Sequence, residues 1–438
     1  MPFGKFLTLP MASDMIYVQW YRDWEARQGE ALTERGCRLC AGVLTKVLDL
    51  GRQPVSNAFV RPDDNVSVPF YQLEVGLCAS CAMVQQLNEV PPNEMYRVDY
   101  PYRASGSALI RRHGEDVARH IIQSCGDSRD RFVVEIGCND GVMLKAVSNA
   151  GMRHLGVDPA AKAAEVARGH GINVRTDFFN ESTAAEIRDE HGPADIIYSA
   201  NTISHISYLD SIFRGVDSLL APNGLFIVED RYLADILKCV YFDQIYDEHI
   251  YLFSIRSVRA AAARFGLELI DAQHLPLHGG SIRYTIARAG TKTPTANVSK
   301  FLEQENVEGL AEEPTFARFS AQIERIRTDL VGLLRDLRSE GRSVVGYGAT
   351  SRSATVLNYC HIGPELVAMV CDSTPEKQHC LTPGSNIPVR SPEAFSDPYP
   401  DYALLFAWNH AEEIMAKERL FHDRGGRWIL YAPNVHIV

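Results

Sequence analysis

Between Tyr241 and Ser254 the chain reads YFDQIYDEHIYLFS, which places a phenol, three carboxyl groups and an imidazole within seven residues. Histidine takes up a proton near neutral pH, a neighbouring carboxylate raises its basicity, and a tyrosine hydroxyl can donate to a developing oxyanion. Tyr246, Glu248 and His249 are therefore candidates for general-base chemistry. The plain alternative is a structural histidine, the commoner fate of a lone imidazole. The cluster gains weight from its place, just beyond the fifth strand of an α/β pattern, where a ligand crevice is expected.

A second chemical group comes earlier. Cys37-Arg-Leu-Cys40 and Cys78-Ala-Ser-Cys81 each offer two thiolates, and two such pairs close a tetrahedral Zn²⁺ site. A redox dithiol would be single and sit beside a βαβ unit, so structural zinc is the reading. Four thiolates leave no open coordination position, and the expected role is folding rather than catalysis. Strand-like segments around residues 43–50 and 71–77 make this a small β-rich module.

The elements that would position the reactive groups start at Arg131, where the sequence reads RFVVEIGCNDGV. A β-branched run, a turn bracketed by Gly137 and Gly141, and a helical pattern predict the ligand-binding corner of a doubly wound α/β domain. The turn lacks the G-x-G-x-x-G pattern of dinucleotide sites. Glu135 just before it would repel a pyrophosphate but suits the sulfonium and amino group of S-adenosylmethionine. Glu135, Gly137, Asn139 and Gly141 are accordingly assigned to a methyl donor. Asp158, ending the second strand, is placed to accept from a ribose. Asp177 and Phe178 follow the third strand and would flank adenine, and Asn201 follows the fourth. These strand ends converge on one edge of a parallel sheet.

Around this core lie further candidates. The segment 96–107 is aromatic and hydroxyl-rich, either a surface loop or a lid offering Tyr100, Tyr102 and Ser105 to a polar ligand. His278-Gly-Gly-Ser281 is a turn entering an edge strand that lines the site. Residues 297–341 carry apolar positions at helical spacing and predict one long amphipathic connector. A second strand–glycine turn–helix unit follows at 343–353, containing Tyr347 and Arg352. With hydroxyls and Arg352 at its helix start it suits a diphosphate, and Trp408 is placed to stack on a base. A nicotinamide dinucleotide, with Asp372 downstream, is the alternative.

Length and composition agree with this. A chain of 438 residues with 46% hydrophobic and 23% charged content is expected to be a globular protein of two or three domains. The division reads 1–34 as an extension, 35–105 as the zinc module, 106–296 as the methyl-donor domain, and 297–438 as connector and C-terminal unit. A net charge of −11 argues against a general nucleic-acid binder. No apolar run approaches the roughly 20 residues that span a bilayer. A cytoplasmic monomer with reduced thiols is expected.

The two Cys-x-x-Cys pairs, VEIGCNDG, YDEHIYLFS, HGGSIR, GYGATSRSATVLN and FAWNHAEEI, in this order, resemble the sugar C-methyltransferases that act on nucleotide-linked keto-deoxysugars. The resemblance covers residues 37–438 and is especially close to the C-3 methyltransferases of the tetronitrose and kijanose pathways. It implies an α/β architecture of three parts: a zinc-binding domain, a middle domain holding S-adenosylmethionine, and a C-terminal Rossmann-like domain that helps hold the nucleotide sugar. The implied zinc ligands are Cys37, Cys40, Cys78 and Cys81. The implied catalytic groups are Tyr246, Glu248 and His249, with His205 as an additional active-site histidine. The implied substrate is dTDP-3-amino-2,3,6-trideoxy-4-keto-D-glucose. His249, oriented or supported by Glu248, would remove the C-3 proton, with Tyr246 and His205 stabilising the enolate. Methylation at another carbon (C-5), or of a different nucleotide-linked keto sugar, stays open, because a ketone acidifies both its neighbours. Arg352 stands where some relatives carry lysine, which keeps the charge and changes the donor geometry.

Overall fold

The computed structural model describes residues 36–64, 67–90, 103–125 and 129–438. Tyr100, Tyr102 and the N-terminal 1–34 lie outside these residues.

Three sheets organise the chain. The strands in sequence order are β1 Leu44–Pro54, β2 Phe70–Cys78, β3 Val84–Gln86, β4 Phe132–Ile136, β5 Arg153–Val157, β6 Val174–Arg175, β7 Ala194–Ala200 and β8 Leu220–Arg231. They continue as β9 Tyr251–Leu252, β10 Leu267–Leu275, β11 Ser281–Arg288, β12 Val344–Tyr347, β13 Val370–Cys371 and β14 Val389–Arg390. The last three are β15 Tyr402–Leu405, β16 Arg427–Leu430 and β17 His436–Ile437. The first sheet has the order β1-β2-β3-β9, the second β10-β11-β8-β7-β4-β5-β6, and the third β14-β13-β12-β15-β16-β17.

The central sheet is parallel from β8 through β6 and antiparallel at β11 and β10. Strand β4 lies at its heart, and all five of its residues are buried, as an unbroken FVVEI run requires of a strand covered on both faces. The C-terminal sheet is parallel except for β17. The turn at His278 leads into β11, which lies between β8 and β10 and so is interior, where the sequence suggested an edge.

The first sheet joins two units. Its fourth strand is β9, contributed by the residues just after His249, and Val84 and Gln85 of β3 pair with Leu252 and Tyr251. The cysteine module is thus completed by the chain that follows the candidate base.

The single connector helix expected over 297–341 is two, Ala296–Glu308 and Glu313–Ser339. Gly309 ends the first in the left-handed region at φ +66°, and Pro314 sits in the first turn of the second. Both are ordinary helix punctuation, outweighed in the sequence reading by the continuous apolar spacing. The second helix buries Phe316, Phe319, Ile323, Ile326, Leu330, Leu334 and Leu337, one stripe at helical period.

The C-terminal unit docks on the middle one through Asp243, which is fully buried. Its Oδ2 accepts from Trp408 Nε1 at 2.7 Å and from the Tyr431 hydroxyl at 2.6 Å. Asp243→Ala would strand two buried donors, at a cost of about 2–4 kcal/mol. The expected outcome is a lower urea midpoint with unchanged zinc content, and an unshifted midpoint would remove this docking role.

Candidate active site

The carboxyl edge of the central sheet is assembled by the glycine turn after β4. Gly137 has φ +73°, and a Cβ there would strike Thr202. Asn139 is also left-handed, and its N–H donates to Asp158 Oδ2 at 2.8 Å. Asp158 Oδ1 accepts from Ala160 N–H at 2.8 Å, so this acid ties the turn to the end of β5. Gly141 serves packing: its Cβ would meet the Ile172 side chain. Asn139 Oδ1 and the Asp140 carboxylate accept from the backbone of Ala104 and Ser105, and Ser105 Oγ donates to Asp140 at 2.5 Å. Ser105, expected to face the second substrate, has its hydroxyl committed to the glycine turn. Asp177, beyond β6, is paired with Arg175 at 3.3 Å, and Phe178 beside it is half-buried.

This edge has the electrostatics of a cation site. Glu135 is buried with Oε2 unpartnered among the described residues. Burial, then the charges of Asp158, Asp140 and Glu229, push its pKa well above the carboxylate range. Asn201, left-handed at φ +51°, leaves Oδ1 buried and unpartnered as well. Two unsatisfied acceptors amid carboxylates fit a ligand carrying an ammonium, a sulfonium and hydroxyl donors, all of which S-adenosylmethionine has beside its carboxylate and adenine.

Next to this edge lies the loop 243–249. His249 is buried, and its Nδ1–H donates to the backbone carbonyl of Gln244. Nε2 has no partner among the described residues. Burial, followed by the positive charge of Arg231, holds the ring well below the ordinary histidine pKa. The result is a neutral imidazole with an aimed, unused lone pair, the state a general base needs. The orientation comes from Gln244 rather than from Glu248, whose Oε1 accepts from Asn57 Nδ2 at 2.6 Å. The Tyr246 ring lies 3.9 Å from that of His249, centroid to centroid, and His205 lies at 5.0 Å. His205 Nε2 faces Arg231 Nη2 at 3.3 Å, and its Nδ1 faces Glu248 Oε2 at 3.8 Å. Arg231 can only donate, so His205 carries its proton on Nδ1. Burial, and then Arg231, pushes the His205 pKa down to about 3. His278 Nε2 lies 3.4 Å from Asn201 Nδ2, which brings the sheet edge and the histidine cluster together.

The C-terminal candidates fare differently. Tyr347 is 8% exposed, packs in the core against Phe395 and Trp428, and donates its hydroxyl to Glu418 at 2.8 Å. It is a core residue because β12 is buried on both faces. Trp408 stacks on Tyr241 at 3.9 Å while the Arg352 guanidinium lies over its ring at 4.8 Å. Its stacking surface is used within the protein, which corrects its assignment to a base. Arg352 donates to Asn409 Oδ1 at the start of helix Ser351–Tyr359.

The four cysteine sulfurs lie within 4.8 Å of one another, with Cys37–Cys81 at 3.6 Å, Cys40–Cys78 at 3.4 Å and Cys40–Cys81 at 3.5 Å. Zinc–sulfur bonds of about 2.3 Å give tetrahedral edges of about 3.8 Å, so the cluster fits the ion.

Family models match three consecutive stretches: a zinc binding domain over 37–96, a methyltransferase domain over 110–272, and a C-methyltransferase C-terminal domain over 276–433. The chain is 33% identical over 405 residues to the C-methyltransferase NovU of Streptomyces niveus, covering 92% of this chain and 96% of that one. The chain belongs to the C-methyltransferase family.

The chain is also 27% identical over 122 residues to the ubiquinone biosynthesis O-methyltransferase of Azorhizobium caulinodans, 27% of this chain and 46% of that one. Magnesium protoporphyrin IX methyltransferase of Synechocystis PCC 6803, solved with bound SAM, is 13% identical with a TM-score of 0.32, covering 41% of this chain and 79% of that one. This C-methyltransferase is an S-adenosylmethionine-dependent, zinc-binding enzyme of mixed α/β architecture. No helix among the described residues is long and apolar enough to cross a membrane.

Three residues of the site carried no motif in the sequence. Arg231 ends β8 two residues past Glu229, so strand alternation puts both on one side, a usable signal. Asn57 and Gln86 belong to the cysteine module, and nothing local announces their contact with a distant loop. Because His249 and His205 are both held below 6.5 by burial and Arg231, the unprotonated forms prevail from neutral pH well into the acid range. The expected pH profile of kcat is therefore flat down to about pH 6.5, the ordinary histidine value. An acid limb at or above that value would contradict a depressed base.

Proposed function

We propose that the enzyme methylates C-3 of a dTDP-linked 4-keto-deoxy(amino)sugar through an enolate, a step of deoxysugar biosynthesis toward a natural product. The observation that carries this reading is the buried His249 with its unpartnered Nε2 beside the acid-rich edge of the sheet. A C-4 ketone acidifies the C-3 hydrogen, and His249 Nε2 takes that proton. Donors then face the enolate oxygen: the Tyr246 hydroxyl, which has no hydrogen bond among the described residues, and the Nδ1–H of His205. Arg231 is a positioning residue that keeps the His205 proton on Nδ1. Glu248, held by Asn57, supports the imidazolium that forms on His249.

S-adenosylmethionine, when bound, supplies the electrophilic methyl group that the nucleophilic carbon takes. Glu135, Asp158 and Asn201 would hold it, with the turn from Gly137 to Gly141 giving close backbone approach and Asp177 and Phe178 lying toward its adenine. Arg352, near Asn409 and half-buried, is the cation retained for the diphosphate, with His278 between the two ligands. Zinc held by Cys37, Cys40, Cys78 and Cys81 supplies structure, with no step of the reaction assigned to it.

The test is incubation with S-adenosylmethionine and dTDP-3-amino-2,3,6-trideoxy-4-keto-D-glucose in D₂O, following the sugar mass and its C-3 signal. One added methyl with loss of the C-3 hydrogen is expected. Methylation at C-5, or none with this sugar but turnover of another keto sugar, would overturn the assigned carbon or substrate. His249→Asn should lower turnover at least 10²-fold with zinc and S-adenosylmethionine binding retained. Full activity in that variant would show the base to be misassigned.

A further inference from the structure

One side chain, that of Gln86, bridges the cysteine module and the loop 243–249. Gln86 ends β3 and is buried. Its Nε2 donates to the backbone carbonyls of Tyr246 at 2.6 Å and His249 at 2.8 Å, and lies 3.4 Å from that of Asp247. Its own N–H donates to Ile250 O at 2.9 Å. One glutamine therefore holds the backbone on both sides of Glu248.

Gln86 is itself held from the knuckles. Arg38, between Cys37 and Cys40, donates from Nη1 to Gln86 O at 2.5 Å and to Gln85 Oε1 at 3.2 Å. The Arg38 backbone N–H reaches the same Gln85 oxygen at 3.1 Å, and Gln85 Nε2 donates to Cys37 Sγ at 3.0 Å. From the Cys37 sulfur to the His249 backbone carbonyl the connection runs through these hydrogen bonds and the covalent frames of Gln85, Arg38 and Gln86, all buried or half-buried.

We propose that Gln86 is a positioning residue through which the zinc knuckles set the geometry of His249 and Tyr246, so that the metal site tunes the proton-abstraction step as well as the fold. The physical ground is that loop 243–249 has almost no repetitive structure of its own. Its own N–H groups reach only some of its carbonyls, such as Tyr246 O and Glu248 O, and the two hydrogens of the Gln86 amide add donors to Tyr246 O and His249 O. Misplacing a reacting group by about 1 Å costs on the order of 10² in rate, so loosening this one amide is felt in the chemistry. The inference rests on His249 being the base, and its test includes a readout on His249 that does not require that.

The experiment is Gln86→Leu in the full-length, zinc-loaded protein. It is followed by zinc content, calorimetric S-adenosylmethionine affinity, steady-state kinetics, and ¹⁵N NMR of the histidine rings at pH 7. The expected result is one zinc per chain, donor affinity within twofold of wild type, substrate KM within threefold, and kcat reduced 10- to 100-fold. The His249 nitrogen signals should move from one neutral tautomer toward an averaged pair. Chelating zinc from the wild-type protein should move the same signals while S-adenosylmethionine still binds. Unchanged His249 signals and kcat in a folded Gln86→Leu would overturn the proposal. So would a parallel loss of donor affinity and kcat, which is what a merely structural role produces. If Gln86→Leu does not fold, Arg38→Met decides: a smaller shift of the His249 signals in the same direction supports the inference, and no shift overturns it. If His249→Asn remained fully active, the base assignment would fail, while the NMR readout would still report on the positioning.

Discussion

The buried loop 243–249, with one short 3-10 turn at its start, must satisfy much of its polar backbone and side chains through other parts of the chain, and this constraint shapes the whole molecule. Each part of the chain contributes a donor. The cysteine module provides Gln86, for the carbonyls of Tyr246 and His249, and the Ser56 N–H, for Asp247 Oδ1. The C-terminal unit provides Thr355 Oγ1 for Ile245 O, and Trp408 and Tyr431 for Asp243. The loop itself provides His249 Nδ1–H for Gln244 O. That last bond does two things at once, closing the loop and leaving Nε2 as the free lone pair. The three units meet at this loop because it cannot be buried and ordered without all of them.

Charge is divided across the site. On the sheet edge, Glu135, Asp140 and Asp158 lie together, and burial plus mutual repulsion raises the Glu135 pKa. Around the histidines, burial and then Arg231, with Arg352 adding, lower the pKa values of His249 and His278, while burial and Glu248 raise that of Tyr246 against the opposing pull of the two arginines. A cationic donor of methyl groups and an anionic nucleotide sugar would each meet the complementary sign. Arg231, which adds to burial in holding the His249 pKa low, also faces His205 Nε2 and so selects the tautomer of that ring.

Much of this was legible before any coordinates. The FVVEIG run announces a strand and glycine turn, and the paired cysteines a four-sulfur cluster, through local spacing, and both are found; the YDEH cluster announces a candidate base. Glycine and proline at 309 and 314 were legible too, but lost to a continuous apolar stripe. What the sequence could not reveal were the roles fixed by long-range packing. Trp408 looked like a stacking platform until Tyr241 and Arg352 covered it, and Tyr347 looked like a ligand group until both faces of β12 proved buried. Glu248 stood next to His249 in the chain, yet a carbonyl five residues upstream of the imidazole orients it. Gln86 lies 163 residues from the carbonyl of His249 that it holds, and no local pattern foretells such a contact.

The central claim is that His249 waits as a neutral imidazole with its proton on Nδ1 and Nε2 open to the substrate. ¹⁵N NMR of the histidine-labelled enzyme tests it directly, with His249→Asn used to assign the signals. The account predicts, at pH 7, one protonated and one unprotonated ring nitrogen for His249, with the proton on Nδ1, unchanged as the pH is lowered through 6.5. An imidazolium, or the opposite tautomer, would contradict it.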